Sequence, residues 1–275
     1  MLTVLTQEQL PEALAAIKAQ RTGAIAIVIE GYLQGQIETK IGLEFLVDQW
    51  PSFSNIFLRT SSDYRYTFLK ELLACHSTDT GVMKEILKYS DILKGLETVF
   101  FANFPYEELD FYKELFQFWQ KDVWSMSHLY KTDMHHLKAC QLAEGYSECK
   151  LTEDDAELVN ETWEHKGESS IDFVKFQIRH FPSVGIKDIN GQLVAWEITY
   201  FIGCVGMLYV LQEHRGKGLA QYVTYKLCKE LIEQGRNAFC FVEHPNTASK
   251  KLHEKCGFYE EPSTQSLFAI VRKNS

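Results

Sequence analysis

The chain has no cysteine pair at C-x-x-C spacing, no nucleotide-binding glycine signature, no apolar run of membrane-spanning length and no surplus of positive charge. Each absence excludes something. The seven cysteines (Cys75, Cys140, Cys149, Cys204, Cys228, Cys240 and Cys256) are odd in number and scattered. They read as buried thiols of a reduced compartment, which argues against a disulfide framework or a zinc site. His135-His136 has no ligand-spaced partners and reads as structural or exposed. The longest apolar stretch near the start, Ala24 to Ile29, is far too short to cross a bilayer. A net charge of −9 argues against nucleic acid or an anionic membrane surface as the main partner. Glu8 and Glu12 fall in the first amphipathic segment, where a transit peptide would avoid acids, and the basic region before an apolar core that a secretory signal wants is not seen. The cytoplasm is the expected compartment, with the mitochondrial matrix as the alternative.

What is present suits a packed protein. The 275 residues, 45% apolar and 13% aromatic, leave room for one large or two medium domains. No linker rich in Pro, Gly or Ser divides them, and the best boundary is the polar stretch between Leu142 and Lys150. From about residue 146 the pattern is α/β. Ser147 to Leu151 reads as a strand, and Thr152 caps a helix over Glu153 to Glu164 with Ala156, Leu158, Val159 and Trp163 inward. A second helix over 169–180 ends before Pro182. The strands Ser183 to Ile189 and Gln192 to Phe201 are joined by Asn190-Gly191, a strong hairpin signal. A third strand follows over Cys204 to Leu211, and a last one is expected around Ser266 to Val271. In the first half, Gln7 to Ala19 is amphipathic and Ala24 to Glu30 reads as β-rich. Asn55 to Arg59 and Thr98 to Phe101 look like strands, and Tyr106 to Trp119 like an aromatic-rich helix.

The most informative stretch is Leu208 to Ala220, an apolar strand entering the turn His214-Arg215-Gly216-Lys217-Gly218. Beyond it, Val223, Leu227, Cys228 and Leu231 have helical spacing. Strand, glycine turn and helix in that order gather free backbone N–H groups and the positive end of a helix dipole at one point, which suits a phosphate. Arg215 and Lys217 add charge. Because Gly216-Lys217-Gly218 runs on into Leu219, Ala220 and Gln221, neither G-x-G-x-x-G nor the P-loop pattern is met. Taken alone, such a turn is as readily a tight strand-to-helix connection. A second block follows: a strand over 238–243, then Pro245-Asn246-Thr247-Ala248-Ser249, with Asn246 as N-cap and Gly257 as the C′ glycine of a short helix. Lys250 and Lys251 on that helix are as readily a solvated face as a ligand site.

Together the two blocks resemble the GNAT acyltransferase superfamily. Arg215-x-x-Gly218-x-Ala220 matches its Q/R-x-x-G-x-G/A turn, and Asn246-x-Ala248-Ser249-x-x-Leu252 begins the match to its second motif. Val47-Asp48-Gln49-Trp50-Pro51-Ser52-Phe53 is similar to the V-D-x-W-P-x-F signature of glycine N-acyltransferases. Leu158-Val159-Asn160-x-x-Trp163, Phe181-Pro182-Ser183 and Trp196 also fit that family. The resemblance implies an α/β chain of tandem GNAT-like halves, a degenerate one over 1–145 and a catalytic, acyl-CoA-binding one over 146–275. The catalytic half would have a mixed, largely antiparallel sheet flanked by helices. It implies no permanently bound cofactor, acyl-CoA as co-substrate, and transfer of the acyl group to glycine or another small amine. Residues 215–221 (Arg215, Gly216, Lys217, Gly218, Leu219, Ala220 and Gln221) would hold the pyrophosphate. Leu208, Tyr209 and Val210 would pair with the pantetheine arm, and Asn246 and Ser249 would flank it.

Catalysis is less determined. A general base is expected for a protonated amine, and the family's glutamate, counted eleven residues back from Arg215, falls on Cys204. An acyl-enzyme on Cys204 is the sharp reading, and a plain strand cysteine the bland one. Substitute bases are Glu243 and His244, which end the strand expected to splay from that of Cys204, then His214 and Glu197. Glu197 reads as a solvent-face carboxylate. His253 replaces a tyrosine that many GNAT enzymes place to protonate the leaving thiolate, and an exposed helix histidine is the alternative. Two other functions fit the residues: acetylation of protein N-termini or lysines, and coenzyme A binding without catalysis.

Overall fold

The computed structural model describes residues 2–20, 24–35, 37, 41–64, 68 and 70–274, with the backbone alone at 20, 24, 121–126 and 262–264. Packing divides the chain into two compact units, Met1–His128 with Ser263–Ser275, and Leu129–Pro262. By this division the polar stretch around residues 145 and 146 lies inside the second unit.

The first unit contains β1 (Thr3–Val4), α1 (Leu10–Gln20), α2 (Ala24–Leu33), β2 (Leu43–Val47), β3 (Asn55–Thr60), β4 (Leu72–Ser77), α3 (Thr80–Tyr89), β5 (Thr98–Pro105) and α4 (Leu109–Leu115). The strand β6 (Trp119–Thr132) begins in it. Its strands run in the order β1-β2-β3-β4-β5, antiparallel except for the parallel pair β4–β5. Phe57, Leu73, Val99, Phe101, Phe104, Tyr112 and Phe116 form one core over this sheet. Two expectations are corrected here. Residues 24–30 form a helix where β-branched composition suggested a strand. Ile25, Ala26, Val28 and Ile29 are all buried, so the run is apolar nearly all round, and burial outweighs the weak β preference. The aromatic helix is also shorter than expected, ending at Leu115 before Trp119 opens β6.

The V-D-x-W-P-x-F segment is the loop between β2 and β3. The Asp48 carboxylate accepts from the backbone N–H of Gln49, Ser54 and Asn55 and from the Asn55 side chain, at 3.1 to 3.3 Å. Trp50 stacks on Phe53 with centroids 6.5 Å apart. The signature thus closes a loop, which is sufficient physical reason for its residues.

The second unit contains β7 (Ser147–Cys149), α5 (Ala156–Thr162), α6 (Ser170–His180), β8 (Ser183–Lys187), β9 (Leu193–Thr199), β10 (Val205–Val210), α7 (Leu219–Glu233), β11 (Ala238–Glu243) and α8 (Thr247–Cys256). Thr152 and Asp155 form a capping box ahead of α5. The β8–β9 hairpin closes with Gly191 at φ +80° and Asp188 accepting from the Asn190 and Gln192 N–H groups at 2.9 Å. An antiparallel sheet runs β10-β9-β8-β7. Val159, Val174 and Ile178 of α5 and α6 pack with Trp196 and Ile198. Val223, Leu227 and Cys228 of α7 and Cys256 of α8 pack with Ala195 and Val205.

The last strand, β12 (Tyr259–Lys273), brings a third correction. Expected to complete the second half, its residues 266–272 pair antiparallel with β5, Leu267 opposite Phe104 and Val271 opposite Val99. Leu267, Ala269 and Val271 alternate into the first unit's core, and that alternation fixes where the segment lies. All seven cysteines are free, five of them buried. The exposed His136 ring meets Asp133 at 2.8 Å. No described helix is long and apolar enough to cross a membrane.

Gly257 ends α8 at φ +94°, and a methyl group built there would lie 1.9 Å from the His136 carbonyl oxygen. Left-handed backbone alone costs an L residue roughly 1–2 kcal/mol, and the contact forces a main-chain shift besides. Gly257→Ala is therefore expected to destabilise the protein by about 2 kcal/mol or more. An unchanged urea midpoint would show that this contact does not hold the helix end.

Candidate functional site

Strand β10 is an edge: β9 is its ladder partner, and β11 is not hydrogen-bonded to it. The β9–β10 register slips between Gly206 and Tyr209. Gly206 lies opposite Ile198 and Tyr209 opposite Trp196, so Met207 and Leu208 together face Glu197. Met207 takes φ +50° in this bulge. A Cβ on Gly206 would meet the Tyr200 ring at 2.5 Å, so glycine admits the ring beside the bulge. A bulge on an edge strand leaves backbone groups turned away from the ladder, in the segment Leu208-Tyr209-Val210 expected to pair with a pantetheine arm.

Beyond β10 the chain makes one turn over Gln212–His214 and enters α7 through Gly216 and Gly218, at φ +77° and +79°. Nothing lies within 4 Å of a Cβ built on either glycine, so backbone angle rather than crowding requires them. Gly218 is the N-cap of α7 and no side chain caps the helix. Among the described residues, no carbonyl accepts from the N–H groups of Gly216, Lys217, Gly218, Leu219, Ala220 or Gln221. These six donors sit at a helix start, where the dipole favours an anion.

The basic side chains are fixed by local contacts. The Arg215 Nε donates to the Val210 carbonyl at 3.0 Å, with its guanidinium over the Tyr209 ring, and Tyr209 stacks on Trp196. Lys217 donates to the Tyr146 hydroxyl at 2.9 Å, and that hydroxyl meets the Nδ1 of His214 at 2.9 Å. With Lys217 as donor, the hydroxyl's own proton goes to Nδ1, so His214 is engaged at the turn and away from the start of β10.

At α8, Asn246 caps as expected, accepting from the Ser249 N–H at 3.0 Å. His253, one helical turn on, is buried rather than exposed. Its Nδ1 lies 2.8 Å from the Ser249 carbonyl, which fixes the proton there, and its Nε2 has no partner. Burial lowers its pKa from the usual histidine value. As placed, the ring presents an acceptor at Nε2, so a proton donated there requires the imidazolium.

The candidate bases separate clearly. Cys204 lies just before β10, buried, its thiol pushed up to about 12 chiefly by desolvation. That environment keeps the sulfur protonated and gives no support to a covalent route. Glu243 ends β11 with its carboxylate 3.9 Å from the His165 Nε2, both partly exposed. His244 follows it in the turn before α8.

Glu197 departs most from the sequence reading. It is 1% exposed on β9, where a solvent-facing carboxylate was expected, because helices cover both faces of this sheet. Neither carboxylate oxygen has a hydrogen-bonding partner, nor do the buried hydroxyls of Thr199 and Thr224. Desolvation raises its pKa from 4.5 to about 8; Thr224 softens the rise without a hydrogen bond of ordinary geometry.

The comparisons with known proteins agree with this architecture. The family model described as FR47-like protein matches residues 183–268. The glycine N-acyltransferases of Homo sapiens and Pongo abelii are 32% and 31% identical over 98 residues, which cover 35% of this chain. The match spans about a third of the length of these curated relatives, 33% in each case. A solved Drosophila protein superposes with a TM-score of 0.82 at 16% identity, covering 99% of this chain and 98% of that one. A tandem GNAT protein from the clavulanic acid biosynthesis pathway reaches 0.58 at 12% identity, over 98% and 97%. A GCN5-related N-acetyltransferase from Kribbella flavida reaches 0.57 at 12% identity, over 92% and 96%. At such identities the structural likenesses establish the fold, and they do so over nearly the whole chain.

A buried acid with a raised pKa leaves a signature in stability. Below the unfolded value near 4.5 both states hold the proton, and the stability is fully present. As pH rises toward 8 only the folded state keeps it, so stability falls by up to about 1.4 kcal/mol per pH unit across that window. Glu197→Gln should flatten this slope and raise the melting temperature at pH 8, as read by thermal unfolding across pH 5 to 9. Parallel wild-type and variant curves would contradict the burial of an unpaired carboxyl.

The chain thus has the α/β fold of its GNAT structural neighbours, with a largely antiparallel sheet flanked by helices, and over about a third of its length it is similar in sequence to glycine N-acyltransferases.

Proposed function

We propose that the chain is an acyl-CoA-dependent N-acyltransferase whose acceptor is the amino group of glycine or another small amine. The observation that carries this reading is the continuity of one surface. An edge strand with a bulge leads into six unpaired N–H groups at the start of α7, and β11 leaves the strand's free edge unpaired. An amide-rich arm adds to such an edge as a strand would, and a diphosphate takes the N–H groups. A thioester carbonyl beside the bulge meets a backbone donor that a straight ladder would have used up, which favours the developing oxyanion. In this assignment the second unit, Leu129–Pro262, binds and reacts, and the first unit is the degenerate one. Asn246 and Ser249 shape the start of α8 beside the arm.

The competing reading, a coenzyme A-binding protein without catalysis, is favoured by Cys204, a buried and protonated thiol at the position of the expected base. Calorimetric titration with several acyl-CoAs, followed by thiol release with a panel of amino acids, separates the two. Binding with turnover supports transfer, and binding without it supports the silent protein.

For the turn, Gly218→Asp and Gly218→Asn form a matched pair, since both carry the same backbone strain at φ +79° and differ in charge. The aspartate variant should lose at least tenfold more acyl-CoA affinity than the asparagine variant while both remain folded. Equal affinities would remove the pyrophosphate from this turn.

His253 is proposed to protonate the departing thiolate from Nε2. Because burial makes its imidazolium a low-pH species, His253→Ala should lower turnover more at pH 6 than at pH 8 and leave the Michaelis constant for acyl-CoA within about twofold. A pH-independent ratio of wild-type to variant rates would rule out this donor.

A further inference from the structure

We propose that Glu197 is the proton relay of the transfer, a buried carboxyl that serves the reaction through water held between it and the Thr199 and Thr224 hydroxyls. This deepens the acyl-transfer reading and rests on it. Three independent observations meet at this residue. The first is position: Met207 and Leu208, the two residues of the bulge, lie opposite Glu197 alone. The carboxyl is therefore one strand inward from the backbone that would polarise the thioester.

The second is its lack of partners. Both carboxyl oxygens and both threonine hydroxyls are buried with no hydrogen-bonding partner in the protein. Each such group left unmade costs roughly 1–3 kcal/mol. Thr199, two residues on along β9, shares the sheet face of Glu197, and Thr224 of α7 meets the carboxyl from the covering helix. A buried water, which makes two to four hydrogen bonds, would satisfy such groups.

The third is the character of the surroundings. The titratable neighbours are thiols, Cys228 of α7, Cys240 of β11 and Cys256 of α8, each raised in part by Glu197. No described cation forms an ion pair with the carboxyl. Nothing there holds it ionised for structural reasons, and it is free to gain and lose a proton near neutral pH. An expected base is missing at Cys204, so proton handling has to come from elsewhere.

The step balances as follows. The free amine attacks the thioester carbonyl, the C–N bond forms and the C–S bond breaks. The nitrogen, which has formed its new bond and carries an excess proton, passes that proton through the relay to the Glu197 carboxylate. The leaving sulfur takes its proton from the His253 imidazolium, giving free coenzyme A thiol. The Glu197 carboxyl then loses its proton to solvent and His253 regains one, so both groups end as they began and no co-reactant is needed.

The test uses the full-length protein with acyl-CoA and whichever acceptor the wild type turns over. Glu197→Gln, which keeps the shape and is expected to fold at least as well, should lower turnover about 10²-fold or more, within the range of general acid–base catalysis. The acyl-CoA Michaelis constant should stay within about twofold. The pH–rate profile should lose a limb that Glu197→Asp retains in shifted form. Calorimetry with free coenzyme A in two buffers of different ionisation heat gives a second readout. Proton exchange on binding by the wild type, absent in Glu197→Gln, supports the relay. Turnover and pH profile of Glu197→Gln equal to wild type would overturn the relay and leave the acyl-transfer reading intact. Coenzyme A binding by the wild type with no turnover of any acceptor would overturn that reading, and the relay with it.

Discussion

One edge of β10 has no strand hydrogen-bonded to it, and the rest of the site depends on that. A β-strand with an open edge is ordinarily a liability, because its backbone groups invite pairing with any extended chain. Here the edge is bounded rather than blunted. The Gly206–Tyr209 bulge interrupts its regularity and the Gly216–Gly218 turn ends it. Arg215 ties the turn back to the strand through the Val210 carbonyl, and Tyr209 and Trp196 stack beneath the guanidinium. The charge on Arg215 therefore first holds the turn's shape, and its remaining N–H groups face outward from a fixed position. An anion taken up at this turn, as proposed, would meet groups already in place and cost little ordering entropy.

The second half was legible in the sequence because its signals are local. A capping box, an Asn-Gly hairpin, two positive-φ glycines and an Asn N-cap each act within a few residues of their own position. Local chemistry of that kind does not depend on the rest of the fold. The errors all arose where long-range packing decides. Residues 24–30 have the composition of a strand, but burial on nearly every side makes a helix of them. Ser266–Val271 has the alternation of a strand and forms one, yet its alternating apolar face suits either core, and composition does not say which.

Glu197 shows the same limit within the site. A carboxylate after a tryptophan on a strand reads as solvent-facing because most are, and only the helices on both faces of the sheet make this one buried. The signal that could have raised suspicion is its setting. Leu193 to Ile198 is apolar except for Glu197, and a strand apolar at successive positions is buried on both faces. A charge inside such a run is costly unless it is used. For the W-P-x-F signature the structure supplies a structural reason that the sequence could not: Asp48 closes a loop of seven residues through backbone donors.

The absent carboxylate at Cys204 bears on how proton transfer would be arranged in the proposed reaction. A thiol pushed up to about 12 in a dry environment neither accepts nor donates a proton near neutral pH, so the residue at the expected position is inert. Of the candidates at the end of β11, Glu243 is partly exposed and lies 3.9 Å from the His165 Nε2, too long for a hydrogen bond. The interior of the sheet offers the opposite conditions. There a carboxyl titrates close to neutral pH because desolvation raises it, and it lies beside the bulge because the strand register puts it there. In the proposed relay, placing the acid in the sheet interior rather than at the strand end would exchange direct contact with the amine for a pKa suited to carrying a proton both ways. That exchange is favourable only if water connects the two, and the Thr199 and Thr224 hydroxyls supply the hydrogen-bonding positions such a connection requires.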